Sequence, residues 1–110
     1  MNKIKFDLND RTAVITGGAQ GFGLDIAKRF LDSGANVIIW DIDPKMIEKA
    51  QKDLDNTNLS SNIVDVSNYK EVENCTKEIT KKTNIDILIN NAGITGPTAS
   101  LWEYDVEMWK

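Results

Sequence analysis

Short runs of β-branched and other apolar residues alternate along this chain with longer segments in which apolar residues recur every three or four positions. The short runs are typical of strands that helices cover on both faces, and the longer segments are typical of amphipathic helices. Short loops join them, and right-handed crossovers then place successive strands in one parallel sheet. The alternation predicts an α/β fold with a doubly wound parallel sheet, with strands at residues 12–16, 36–41, around 62–65 and 85–89.

Residues with strong preferences for helix ends mark where the helices begin and stop. The first helix is expected over residues 21–33, and Gly34 follows it where a left-handed residue normally ends a helix. Asp43 can cap the second helix, with Pro44 in its first turn. Ser67 is predicted to cap a third helix.

The junction between the first predicted strand and its helix is rich in glycine, and it reads Thr16-Gly17-Gly18-Ala19-Gln20-Gly21-Phe22-Gly23. A helix N-terminus there presents unpaired N–H groups and the positive end of its dipole, and glycines let a diphosphate approach the main chain. The spacing Gly-x-x-x-Gly-x-Gly is not Gly-x-Gly-x-x-Gly, and no Lys-Ser/Thr pair follows to make a P-loop. The position predicts a dinucleotide diphosphate site, and a plain tight turn is the alternative.

Asp41 ends the second predicted strand, 18 positions after Gly23. A carboxylate at this place accepts both hydroxyls of an adenosine ribose and repels a 2′-phosphate, which favours NAD over NADP. No Lys or Arg lies between Gly17 and Gly23 to hold such a phosphate. The alternative is that Asp41 only begins the turn before the second helix.

Two further polar segments close the third and fourth predicted strands. Asp65 and Val66 either contact the edge and face of an adenine or form the turn ahead of Ser67, and their spacing does not separate these roles. Asn90-Asn91-Ala92-Gly93 follows the fourth strand at the same carboxyl edge, where open α/β sheets bind ligands. Its amide side chains either contact the ligand or fasten loops to one another.

Composition excludes several other kinds of site. The chain has no histidine, which removes the commonest general base and most zinc ligand sets, so no metal site is expected. Its single cysteine, Cys75, cannot form an internal disulfide. A net charge of −4 offers no basic surface for nucleic acid. The longest apolar run, residues 37–40, is too short for a membrane span or a secretion signal, so we expect a cytoplasmic protein with neither nucleic-acid nor membrane partners.

The last predicted element is a helix that begins after Asp105 and completes about one turn by Lys110. Such a helix bears the cost of nucleation without the packing that normally offsets it. The sequence is therefore expected to be truncated after the fourth strand and the start of the following helix.

Taken together, these segments resemble the N-terminal part of a classical short-chain dehydrogenase/reductase, from about Phe6 to Lys110. The resemblance rests on the glycine segment, on Asp41, on Asp65-Val66 and on Asn90-Asn91-Ala92-Gly93, in the family's order and at its spacing. One departure is Phe22, where the family usually has an aliphatic residue. The residues after Gly93 are similar to those of 3-oxoacyl-carrier-protein reductases and of sugar or polyol dehydrogenases.

The resemblance implies a Rossmann-type fold that binds NAD in preference to NADP because of Asp41. It places around the diphosphate Gly17, Gly18, Gln20, Gly21, Phe22 and Gly23. It assigns the ribose to Asp41 and the adenine to Asp65 and Val66. It assigns the nicotinamide ribose and the nicotinamide ring to Asn91, Ala92 and Gly93. Asn90 would help to hold the strands of the sheet together.

The resemblance further implies hydride transfer between the nicotinamide and a small secondary alcohol or ketone, in a full-length protein that is a dimer or tetramer. The family's catalytic serine, tyrosine and lysine come after the matching segment, so no catalytic residue is assigned within this chain. We expect the 110-residue polypeptide alone to show no turnover. The alternatives are a dinucleotide-binding module without chemistry and a methyltransferase-like nucleotide fold, and the Asn-Asn-Ala-Gly segment argues against the second.

Overall fold

The computed structural model of the chain describes residues 8–91. These residues form, in order, β1 (Thr12–Thr16), α1 (Gly21–Asp32), β2 (Asn36–Asp41), α2 (Pro44–Leu54), β3 (Leu59–Ile63), α3 (Tyr69–Thr80) and β4 (Ile87–Asn90). The helix predicted after Asp105 lies outside the described residues.

The described strands form one parallel sheet in the order β3-β2-β1-β4. Residues 12–16 of β1 lie opposite residues 36–40 of β2, and residues 13–16 lie opposite residues 87–90 of β4. Residues 37–41 of β2 pair with residues 59–63 of β3. Strands that alternate with helices in this order confirm the predicted doubly wound parallel sheet.

β1 and β2 are buried on both faces of the sheet, which explains why both strands are continuous apolar runs. One cluster joins these strands to α1 and α2, and its larger members are Ile15, Leu31, Val37, Ile39 and Ile47. The cluster on the other face joins them to α3 and consists of Val14, Ile38, Trp40, Val64 and Val72. Alternate residues of each strand thus enter different cores, as the pleat requires.

The predicted position of β3, residues 62–65, was wrong by about three residues, because the strand begins at Leu59 and ends at Ile63. The ladder with β2 sets these limits, since Val37 N–H donates to the carbonyl of Asn58 and the pairing continues to Asp41 opposite Ile63. β3 is one of the two outer strands of the described sheet, and its side chains are half-buried or exposed. Ser60, Ser61 and Asn62 are therefore tolerated within it.

The predicted caps were right for two helices and wrong for the third. Gly34 has φ of +93°, the left-handed conformation expected after α1. The Asp43 side chain accepts the N–H groups of Lys45 and Met46 and so caps α2. The cap of α3 is Asn68 and not Ser67, because the Ser67 hydroxyl donates to the carboxylate of Asp65 instead.

β4 begins two residues later than predicted and extends through Asn90. The preceding Asp86 ends the helix-to-strand connection, because its carboxylate accepts the Thr12 N–H at 2.9 Å and its own N–H donates to the Thr12 carbonyl at 2.9 Å. These bonds fix the start of β4 against the start of β1. Among the described residues, none of the helices is long and apolar enough to cross a membrane.

Candidate functional site

The carboxyl ends of β1, β2 and β4 meet at one edge of the sheet, where the loop between β1 and α1 also lies. The loop, residues 17–20, is held by its neighbours on two sides. From β2, the Trp40 carbonyl accepts the Gly17 N–H at 2.7 Å. From the end of β4, the Nδ2 of Asn91 donates to the Gly17 carbonyl at 3.4 Å. The glycine segment thus has a fixed position at the edge where the sequence predicted a ligand site.

Glycine is required in this loop and in the first turn of α1 for two different reasons. Gly17 and Gly21 have φ of +61° and +58°, a conformation that other L residues adopt only with strain. Gly18 and Gly23 are instead limited by space. A Cβ on Gly18 would lie 2.9 Å from the Ile15 carbonyl oxygen, and one on Gly23 would overlap the Gly17 carbonyl oxygen. The loop backbone therefore packs directly on β1 and on the start of α1.

The N-terminus of α1 differs in its capping from the other described helices. Its N-cap residue, Gln20, makes no side-chain cap, and no acidic residue lies in its first turn. α2 and α3 are capped by the side chains of Asp43 and Asn68. Nothing lies within 4 Å of the position that a Cβ of Gly21 would take. The first turn of α1 combines a positive dipole end with open space, which suits an anionic group.

Asp41 lies at the end of β2 and is only 6% exposed. Its Oδ2 accepts the N–H of Ala19 from the glycine loop at 3.3 Å, and its Oδ1 accepts the N–H of Asp43 at 3.1 Å. The carboxylate therefore does begin the turn before α2, as one interpretation of the sequence proposed. It also accepts a hydrogen bond from the glycine loop, a contact that the turn interpretation did not include.

Thr16 and the two asparagines form the link between β1 and β4. The Thr16 hydroxyl donates to Oδ1 of Asn90 at 2.9 Å and accepts the N–H of Asn91 at 2.9 Å. The side chains of Asn90 and Asn91 thus fasten strands and loop together, which is one of the two roles that the sequence left open. A ligand contact by Asn91 stays a prediction.

Asp65 and Val66 lie just beyond β3, and Asp65 makes turn contacts. Its Oδ1 accepts both the N–H and the hydroxyl of Ser67, at 2.9 and 2.6 Å. These two hydrogen bonds to the charged form, the hydroxyl's first, lower the pKa of the Asp65 carboxyl below its ordinary value. Val66 is partly buried against the core cluster on the face of the sheet that α3 covers. The turn role expected for Asp65 is present, and contact with an adenine stays a prediction.

The remaining predicted residues differ in exposure. Gln20 and Gly21 are exposed, and the Phe22 ring is 79% exposed at the mouth of α1. Gly18 and Gly23 are buried. Ala92 and Gly93 lie outside the described residues. Within residues 8–91, the edge of the sheet brings together the glycine loop, Asp41 and Asn91, whereas Asp65 contacts its own turn.

Sequence reasoning missed two parts of this edge. Thr16 was taken only as the end of the first strand and the start of the glycine motif, yet its hydroxyl joins β1 to β4. A Thr in the last position of a buried strand was the available signal, because a buried hydroxyl needs partners. The N–H of Ala19 was also missed, since no side chain marks a backbone donor.

The structure also contains a groove elsewhere, with a volume of about 480 Å³, between α3 and the amino-terminal ends of the strands. Asn36, Ser60, Cys75 and Lys82 are among the residues that line it. None of the predicted site residues within residues 8–91 lines this groove. Across the same residues, no group of three or more acidic residues and cysteines is placed to hold a metal ion.

Comparison with known proteins gives consistent matches. A family model described as short chain dehydrogenase matches residues 11–110. The 2-dehydro-3-deoxy-L-rhamnonate dehydrogenase (NAD(+)) of Sphingomonas sp. (strain SKA58) is 35% identical over 101 residues, which cover 91% of this chain and 40% of that protein. The 3-oxoacyl-(acyl-carrier-protein) reductase FabG of Chlamydia pneumoniae is 41% identical over 90 residues, which cover 77% of this chain and 36% of that protein.

A solved structure matches at the level of the fold as well. The RhlG/NADP active-site complex of Pseudomonas aeruginosa has a TM-score of 0.74 and 29% sequence identity, over 96% of this chain and 42% of that chain. This chain therefore spans about two fifths of the length of the proteins it matches.

Proposed function

The chain belongs to the short-chain dehydrogenase family, and we propose that residues 1–110 are the N-terminal portion of its NAD(P)-binding domain. The full-length gene product would be an oxidoreductase that transfers hydride between a nicotinamide and a secondary alcohol or ketone. Members of this family act on small molecules, and the names of two relatives, a sugar-acid dehydrogenase and an oxoacyl reductase, support this substrate class. A homo-oligomeric, cytoplasmic enzyme is part of the same proposal.

The diphosphate of the cofactor would lie at the mouth of α1. The uncapped first turn and the open space beside Gly21 fit an anion there, because backbone N–H groups and the helix dipole both favour negative charge. The residues that would surround it are Gly17, Gly18, Gln20, Gly21, Phe22 and Gly23. The φ values of Gly17 and Gly21 support this role, since they let the main chain itself face the ligand.

Asp41 would bind the adenosine ribose and favour NAD over NADP. Its position at the end of β2 fits a ribose acceptor, and each of its oxygens keeps a lone pair beyond the backbone amide it already accepts. A negative charge there opposes the 2′-phosphate of NADP. The relative from Sphingomonas carries NAD(+) in its name, whereas RhlG was solved with NADP, so the preference for NAD rests on Asp41 itself.

The other parts of the cofactor would follow the strand ends. Asp65 and Val66 would border the adenine, and Asn91, Ala92 and Gly93 would border the nicotinamide ribose and ring. The bound nicotinamide supplies the carbon that accepts or donates hydride. The residues of this chain bind and orient the dinucleotide, and proton transfer would fall to residues after position 110.

One observation carries the proposal: the loop at the uncapped N-terminus of α1 and the carboxylate at the end of β2 lie within hydrogen-bond distance, 3.3 Å between Ala19 N and Asp41 Oδ2. The proposed diphosphate site and the proposed ribose acceptor are therefore neighbours. An adenine dinucleotide requires that adjacency, whereas a plain tight turn, or a turn that only begins the second helix, does not.

Calorimetric titration of the full-length gene product with NADH and NADPH tests the proposal. We expect NADH to bind, NADPH to bind more weakly, and Asp41→Ala to weaken NADH. Asp43→Asn is the matched control, because it removes one charge two positions away while keeping a good helix cap. Absence of heat with both dinucleotides, or an NADH affinity that Asp41→Ala leaves unchanged, would contradict the assignment.

A binding module without chemistry is distinguished by a second measurement on the same protein. An oxidoreductase oxidises some secondary alcohol when NAD is supplied, with absorbance appearing at the wavelength of the reduced nicotinamide. A module binds NADH and never produces it. Determining the coding sequence past Lys110 gives an independent answer, because a serine followed by Tyr-x-x-x-Lys marks the family's catalytic segment.

A further inference from the structure

The carboxylate of Asp41 accepts hydrogen bonds from two backbone amides. One belongs to the glycine loop, and the other belongs to the turn that follows β2. Asp43 N–H binds Oδ1 at 3.1 Å, and Ala19 N–H binds Oδ2 at 3.3 Å. Ala19 lies in the middle of the glycine loop and is 2% exposed, and Asp41 is 6% exposed. The bond between them is therefore a buried one, between residues 22 positions apart.

This bond is one of several contacts that hold the glycine loop, and it is made by the side chain that is proposed to bind the adenosine ribose. The Gly17 N–H is held by the Trp40 carbonyl, and the Gly17 carbonyl by Asn91. Both of these contacts fix the beginning of the loop. Asp41 fixes its middle, between two glycines whose positive φ values leave the backbone few restraints of its own.

We propose that Asp41 is a positioning residue for the diphosphate-binding loop, in addition to being the ribose acceptor, so that one carboxylate sets both halves of the dinucleotide site. This inference rests on the proposed function. It has a consequence for cofactor preference: removing the charge of Asp41 relieves the repulsion of a 2′-phosphate, but removing its oxygen also releases Ala19 and loosens the loop that both cofactors need.

Two substitutions separate the two effects. Asp41→Asn and Asp41→Ala both remove the negative charge. Asparagine has one acceptor oxygen, which can still accept the buried Ala19 N–H, although its NH2 group cannot accept the Asp43 N–H. Alanine leaves both donors without this acceptor. If Asp41 acts only on the ribose, the Asp41→Ala variant should bind NADPH at least as tightly as the Asp41→Asn variant, because alanine leaves more room for the 2′-phosphate. The positioning role predicts the opposite order.

The experiment is a measurement of Kd for NADPH and NADH on the full-length gene product and its Asp41→Asn, Asp41→Ala and Asp43→Asn variants. Asp41→Asn should bind NADPH more tightly than the wild type, and Asp41→Ala should bind it on the order of tenfold more weakly than Asp41→Asn. Asp43→Asn, which leaves the Ala19 bond intact, measures the general effect of one lost charge. Equal NADPH affinities for the asparagine and alanine variants, or tighter binding by alanine, would overturn the inference.

The outcomes also separate this inference from the proposed function. If the wild type binds neither dinucleotide, the proposed function fails. If the wild type binds NADH and the two Asp41 variants bind NADPH equally, only the positioning role fails. Should Asp41→Ala not fold, the exchange rate of the Ala19 amide hydrogen decides by NMR. The inference requires slow exchange in the wild type and in Asp41→Asn, and exchange at the rate of an unprotected loop amide in either protein contradicts it.

Discussion

The hydroxyl of Thr16, the last residue of β1, donates a hydrogen bond of 2.9 Å to Oδ1 of Asn90, the last residue of β4. The same oxygen accepts the backbone N–H of Asn91 at 2.9 Å. One side chain thus joins β1 to β4, its neighbour in the sheet, at the point where the glycine loop leaves the sheet. The geometry of the candidate site depends on this junction, although Thr16 need not touch a ligand.

Replacing Thr16 with valine should lower both stability and NADH affinity. Valine has nearly the same shape but cannot donate to Asn90 or accept from Asn91, and each hydrogen bond lost costs about 0.5–1.5 kcal/mol. Thr16→Ser, which keeps the hydroxyl, is the control. The free energy of unfolding, from urea denaturation, checks the prediction, which fails if the valine variant is as stable as the serine variant.

Gly23→Ala should destabilise the protein even though Gly23 lies in a helix, where alanine is normally favoured by about 0.5–1 kcal/mol. The added Cβ would overlap the Gly17 carbonyl oxygen and lie 2.7 Å from Nδ2 of Asn91. Overpacking of this kind costs about 1–3 kcal/mol, and occasionally more.

Gly21→Ala is the matched comparison for that variant. Its Cβ would meet nothing within 4 Å, so its loss comes from the φ of +58° alone and should be about 1–2 kcal/mol. Thermal unfolding midpoints of the two variants measure the difference. A Gly23→Ala variant with a raised midpoint would mean that α1 does not approach the loop as closely as the structure shows.

Ser67→Ala should change stability in a way that depends on pH. The pKa of Asp65 is lowered in the folded protein by its hydrogen bonds to Ser67, so the carboxylate stabilises the fold above its unfolded pKa, near 3.9. This contribution is lost as the pH falls through the lowered folded value. The difference between wild type and Ser67→Ala should therefore be present at pH 7 and vanish in acid.

The same variant can be examined directly by NMR titration of the Asp65 side-chain carboxyl. Removal of the Ser67 hydroxyl should move the Asp65 pKa upward, toward its ordinary value, because the largest cause of the lowering is lost. Ser67→Thr keeps a hydroxyl and should leave the pKa low. An unchanged pKa in Ser67→Ala would show that the hydrogen bond to the hydroxyl does not form in solution.

Cys75 should react slowly with iodoacetamide while the protein is folded. Partial burial, and then the negative charge of Glu78, raise the pKa of the Cys75 thiol and so reduce the thiolate that reacts. Glu78→Gln should increase the labelling rate at pH 8, and it should also lose only the exposed ion pair with Lys81, which contributes little to stability. Mass spectrometry of the labelled protein checks both rates, and labelling of the folded protein as fast as in denaturant would contradict the prediction.

The elements that the sequence predicted well are those with strong local signals. β1 and β2 are continuous apolar runs because both faces of the central sheet are covered. Gly34 and Asp43 mark a helix end and a helix start through their own conformational or hydrogen-bonding preference. β3 had no such signal, because Ser60 and Asn62 lie on an outer strand whose position is set by pairing with β2.

The sequence predicted which residues come together at this edge, but it did not predict the contacts between them. The glycine loop, Asp41 and Asn91 follow strands whose carboxyl ends must share one edge, so their proximity follows from topology. The bond from Ala19 to Asp41 spans 22 positions, and the bond from Asn91 to Gly17 spans 74. Contacts over such separations depend on the assembled sheet and leave no pattern in either segment.

The dependence of the glycine loop on both flanking strands also bears on synthesis. Asn91 supplies one of the loop's fastenings, so a ribosome must have released residue 91 before a nascent chain can complete this corner. The proposed dinucleotide site is therefore incomplete on shorter nascent chains. Cofactor present in the cell would then stabilise only molecules that have already assembled all four described strands, and it would leave earlier intermediates to chaperones and proteases.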